Sequence, residues 1–155
     1  MIAAALFALS LFGGQTTTAH RNVGGWTVRT TTDRFTKAVT CSITKGRVEF
    51  RKDVLIFRLG RLTDTSQADF RVGGGPVRSV REATYDDQRR GYYRDGGPLE
   101  NPSAGEVALP SFYVTGAKWV YIRETPRNNL SWFDVSRFPD ALALARTMKC
   151  PGIGP

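Results

Sequence analysis

The sequence predicts a mainly β chain: a single antiparallel β-sandwich or partly closed barrel of about seven to nine strands, with one C-terminal α-helix packed across it. Three observations carry this. Most of the chain after residue 25 falls into short runs whose apolar and polar side chains alternate, the period of a strand with one buried face. Glycine, proline and aspartate punctuate those runs, as turns require. Only the stretch from 138 to 148 repeats its apolar residues at helical spacing.

The first nineteen residues read as a secretory signal peptide. Met1 to Gly14 is an uncharged apolar run, and Thr17 and Ala19 supply the small side chains that a signal peptidase needs just before its cut. The run falls short of the roughly 20 apolar residues that span a bilayer, and no second run of that length follows. The expected mature protein starts near His20 or Arg21, as a single β-rich domain from 20 to 155.

Trp26 to Thr31 is β-branched and alternating, and Ala38 to Thr44 follows with Val39, Cys41 and Ile43 on one face. Lys45-Gly46 turns the chain into Arg47 to Arg51, where charged and apolar residues alternate, and Lys52-Asp53 turns it again. Val54 to Leu59 is apolar at every position but Arg58, which marks a central strand covered on both faces. These three strands form a meander.

Gln67 to Val72 resumes a strand, and Gly73-Gly74-Gly75-Pro76 folds it back onto Val77 to Val80. This glycine run lacks the Gly-Lys-Ser/Thr ending of a phosphate loop and lies between strands. A short helix near Ala83 to Arg90 and a long loop to Pro102 come next, followed by strands at 104–109, 118–123 and 130–135, with a short turn or helical piece from Pro110 to Gly116. The C-terminal helix buries Phe138, Ala141, Leu142, Ala145 and Met148. Ser136 is a suitable N-cap, Pro139 fits the first turn, and Arg146 and Lys149 suit the last.

Cys41 and Cys150 are the only cysteines. In an oxidising compartment they read as one disulfide stapling the final helix onto the sheet; two buried thiols are the alternative. The net charge is +8, and only five of the 22 basic residues are lysines. Such a charge favours an anionic envelope surface or an acidic protein partner, whereas export argues against nucleic acid. The candidate partner-binding residues are Arg47, Arg51 and Arg58 on strand faces, and Arg78, Arg81, Arg89, Arg90 and Arg94 around the long loop.

Catalytic chemistry has little material. The only histidine is His20, at the expected cleavage site, so a Ser-His-Asp triad has no base. A structural zinc site has too few Cys and His ligands, and no cofactor is implied. Asp86-Asp87 adjoin in sequence, which fixes no facing geometry for a glycosidase pair. Trp26, Trp119 and Trp132 lie in strand patterns and read as core or sheet-face residues. The expected function is therefore a non-enzymatic, exported binding module. The alternatives are an envelope glycan hydrolase using a carboxylate pair and a structural envelope protein without a discrete site.

The tryptophan-led first strand, Thr40-Cys41-Ser42-Ile43, the FRVGGGP stretch at 70 to 76 and the closing FDVSRFPDALALARTMKC at 133 to 150 together resemble the invasion-associated locus B family of secreted α-proteobacterial proteins. The resemblance covers most of the mature chain in order. It implies an exported β-rich domain with a small helical component and carries no catalytic residues. Members tend to have a further cysteine pair in mid-domain, which this chain lacks.

Overall fold

A computed structural model describes residues 16–60, 65–83, 105–124 and 128–153. It is mainly β, with two antiparallel sheets and no hydrogen-bonded closure between them among the described residues: a sandwich, not a barrel. The large sheet contains β1 (Thr16–Val23), β2 (Trp26–Asp33), β3 (Val39–Lys45), β4 (Val48–Arg51), β5 (Val54–Arg58) and β8 (Glu106–Pro110), in the order β1-β2-β3-β4-β5-β8. The small sheet has the order β10-β9-β6-β7, from β6 (Asp69–Val72), β7 (Arg78–Ser79), β9 (Trp119–Arg123) and β10 (Leu130–Asp134). Helix α1 (Ser111–Val114) follows β8, and α2 (Phe138–Thr147) follows β10.

The meander from β3 to β5 forms as its alternation requires. Lys52 and Asp53 both take positive φ, at 47° and 67°, between the paired residues Arg51 and Val54. That geometry is a two-residue type I′ hairpin, whose twist matches the flanking strands. The triple-glycine segment likewise joins β6 to β7, which pair Asp69 with Ser79 and Phe70 with Arg78. Of the expected helix near Ala83 to Arg90, the described residues contain a helical segment from Val80 to Ala83; the remainder lies outside them.

Strand β1 is the one the sequence pattern did not announce. It runs through the expected cleavage position, pairing Thr16 with Asp33 and Val23 with Trp26. Its cause is local: Gly24 and Gly25 hold φ of 56° and 83°, the conformation a tight hairpin needs and glycine supplies without strain. Thr16 to Asn22 is exposed throughout, so loss of the first four residues of β1 would uncover no core.

The inner face of the large sheet is covered by two different layers. Phe57 of β5 meets Phe133 of β10 at a ring separation of 5.1 Å, edge to face, joining sheet to sheet. Over β1, β2 and β3 the small sheet gives way to α2, whose Phe138, Ala141 and Ala145 are fully buried. Phe138 lies 5.2 Å from the Trp26 ring and 5.3 Å from Phe50. One continuous core results, reaching from Trp26 and Val28 to Val120 and Ile122. On the opposite face of the large sheet, Val54, Ile56 and Ala108 form a small second cluster, so β5 is buried on both faces as its run of apolar residues implied.

The start of α2 corrects one expectation. The N-cap is Arg137, in the left-handed region at φ 63°, and not Ser136. Ser136 is already committed: its hydroxyl donates to Asp134 at 2.6 Å and accepts from Lys45 Nζ at 3.1 Å. Its carbonyl accepts from Trp26 Nε1 at 2.8 Å. These bonds tie the helix entry to β2 and β3, and the chain takes one more residue before it coils. Pro139 sits in the first turn and Arg146 in the last, as expected.

At the other end of α2, Cys150 is bonded to Cys41 with a Cα separation of 5.6 Å, ordinary for a disulfide. Cys41 shares the inner face with the buried Ile43 and packs against the core, while Val39, further along the same face, is 37 % exposed. The staple therefore joins helix to sheet at the margin of the core. No helix among the described residues is long and apolar enough to cross a membrane.

Candidate ligand-binding face

The small sheet buries Phe70, Val120, Ile122 and Phe133 on its inner side, so strand alternation turns the residues between them outward. Register then assembles a surface. Tyr121 lies between Trp132 on β10 and Arg71 on β6, while Arg123 lies between Leu130 and Asp69. Trp119 and Trp132 meet edge to face at 5.1 Å. Leu130 and Trp132 remain 63 % and 60 % exposed, and Val77, beyond β6, 58 %. Large apolar side chains are thus gathered on one exposed face, a feature associated with binding sites.

Cations border the aromatics. The Arg71 guanidinium sits 4.9 Å from the Tyr121 ring centroid and Lys118 Nζ 5.6 Å from that of Trp119, within cation–π range. Arg123 is bonded to Asp69 at 2.7 Å. Among the described residues Arg71 and Lys118 form no ion pair, so this face carries both cations beside the Arg123–Asp69 pair. A concavity of about 350 Å³ opens between Asp69, Arg71, Val77, Tyr121, Arg123 and Leu130, in the size range of small-ligand sites.

The arginines singled out from the sequence have other surroundings. Arg51 donates to Glu49 at 2.6 Å; Arg58 donates to the other Glu49 oxygen and, at 3.0 Å, to Glu106. The strand face around Arg51 and Arg58 is consequently a charge-balanced network of two arginines and two glutamates. Arg47 donates to the Leu59 carbonyl at 3.0 Å and lies 5.3 Å from the Phe133 ring. Arg78 lies 4.7 Å from the Tyr113 ring, on a different face, and Arg81 is exposed nearby. Arg89, Arg90 and Arg94 lie outside the described residues. The carboxylates also have partners: Asp134 binds Lys45 at 3.0 Å and Asp140 binds Arg137. Among the described residues no group of three or more His, Cys, Asp or Glu side chains gathers as a metal site would require.

Two of these carboxylates make stability depend on pH. Burial pushes the Glu49 carboxyl up, but the hydrogen bonds from Arg51 and Arg58 outweigh it and hold the group below its ordinary 4.5. Burial likewise raises Asp134, and bonds from Ser136 and Lys45 bring it below 3.8. A carboxyl whose folded pKa is depressed stabilises the fold above its unfolded value and loses that contribution as pH falls through the folded value. The melting temperature is expected to drop as pH is lowered from about 5 to 3, and Glu49→Gln should flatten that slope. Parallel slopes in thermal melts of the two proteins would count against the network.

Compared with family models, curated proteins and solved structures, the chain matches none.

Proposed function

We propose that the chain is an exported, non-catalytic binding domain whose ligand is an acidic saccharide of the cell envelope, held across the outer face of the small sheet. The observation that carries this reading is the aromatic row of Trp119, Trp132 and Tyr121 bordered by Arg71 and Lys118. Aromatic faces present apolar area to the C–H faces of sugar rings, and arginine is the side chain best matched to a carboxylate. An exposed tryptophan contributes nothing to the core, so its cost in exposed apolar surface points to a partner.

Export is supported by the Cys41–Cys150 bond, since disulfides persist in oxidising compartments, and by the apolar start of the sequence. The resemblance to invasion-associated locus B proteins favours the same address. The non-catalytic reading rests on the engagement of Glu49, Glu106, Asp69, Asp134 and Asp140 by cations, which leaves those acids poorly placed as the converging pair that a glycan hydrolase uses.

The test is a tryptophan-fluorescence titration with polygalacturonate and, in parallel, neutral dextran. Binding is expected for the acidic polymer alone and should weaken steeply with added salt. Trp132→Ala should weaken it about fivefold or more, and Arg71→Ala should reduce both affinity and salt dependence. Equal affinity for dextran, or an unchanged curve for Trp132→Ala, removes the reading.

A further inference from the structure

A second exposed aromatic lies at the far end of the large sheet. Phe35 is 93 % exposed at the tip of the loop joining β2 to β3, between Arg34 and Lys37. The loop is not loose. The Asp33 carboxylate accepts from the backbone N–H groups of Phe35 and Thr36, both at 2.8 Å. The Asp33 backbone closes the loop through bonds to Ala38 and Lys37, each at 2.9 Å. Arg34 Nε donates to the Thr17 hydroxyl on β1 at 3.0 Å, and Lys37 takes a φ of 60°. The fold therefore holds a phenyl ring out in water on a braced support, although that ring gains nothing in the core and costs solubility.

We propose that this tip docks the domain on an anionic lipid surface, Phe35 entering the headgroup boundary and Arg34 and Lys37 meeting the lipid phosphates. An apolar residue with cations at its base is the arrangement that interfacial binding favours. Charge supports the choice of occupant: Arg34 and Lys37 flank Phe35 at the tip, and the Asp33 bonds brace it within residues 33–38, beyond the expected cleavage position. The aromatic face of the small sheet is a separate surface, and the two can be tested independently.

The experiment is co-sedimentation of the purified protein with vesicles of phosphatidylcholine and phosphatidylglycerol in equal parts, against phosphatidylcholine alone. Binding is expected for the anionic vesicles and should be reversed by salt. Phe35→Ala should weaken it about tenfold or more, and Lys37→Gln about fivefold. Because Phe35 lies outside the core, neither variant should alter the melting temperature. Trp132→Ala should leave vesicle binding unchanged, which separates this surface from the saccharide face. Equal binding of wild type and Phe35→Ala overturns the proposal, as does equal binding to neutral vesicles. A Phe35→Ala change in sedimentation mass with no change in vesicle binding also overturns it, assigning the tip to contact between copies.

Discussion

Reduction of the Cys41–Cys150 bond is expected to lower the unfolding free energy by about 4–5 kcal/mol, the entropy of opening a loop of this length in the unfolded chain. The two cysteines are 109 residues apart, so the chain from β3 to α2 lies inside the loop. The effect is comparable with the entire stability of many domains, about 5–15 kcal/mol. There is also a local reason for a large effect. Strand β3 pairs with β4 only at Ile43, Thr44 and Lys45, yet it continues to pair with β2 as far as Val39. Among the described residues no strand pairs with Val39 to Cys41 on that side, and the bond to Cys150 ties this margin to the end of α2. Urea unfolding with and without reductant, beside a Cys41→Ser/Cys150→Ser double variant, measures the difference. A loss below about 1 kcal/mol would mean that the reduced unfolded chain is already constrained.

Strand periodicity revealed most of the fold because half-buried strands alternate visibly: Val48, Phe50, Leu55 and Phe57 are inward, and Glu49 and Arg58 outward. It missed β1 because Thr16 to Ala19 also fits a cleavage region, and the informative residues were Gly24 and Gly25, whose positive φ closes the hairpin. It placed the helix cap one residue early because Ser136 is a good cap in isolation, whereas its actual partners, Lys45 and Asp134, depend on the meeting of β3 and β10.

The candidate site was harder to read for the same reason. Leu130-Ser131-Trp132-Phe133 has large apolar residues on both faces, so alternation alone does not say whether Trp132 or Phe133 faces the core. Packing decides it: Phe133 meets Phe57, and Trp132 is left outside beside Trp119. Arg58 looked unpaired because Glu106, which meets it across β5 and β8, is 48 residues away, whereas Glu49, two residues before Arg51 on the same strand, was the legible part of the network. Charge in a sequence shows composition; pairing shows that the charge of Arg51 and Arg58 is balanced by Glu49 and Glu106.

Phe138→Ala is expected to cost about 3–5 kcal/mol, the range for deleting a buried phenyl ring and leaving a cavity. The ring is fully buried and is the contact through which α2 meets both Trp26 and Phe50. The neighbouring residues are poorly placed to collapse into the space. Trp26 is fixed by its bond to the Ser136 carbonyl, and the helix is held at its far end by Cys150. A constrained cavity relaxes little, which places the cost toward the upper part of the range. Leu142→Ala, at a partly buried position on the same helix, should cost less than half as much. Chemical denaturation of both variants gives the comparison. If the two losses are equal, α2 is held by its whole apolar stripe; if Phe138→Ala dominates, the helix is anchored at one residue, the one beside the bonds that join β2, β3 and β10.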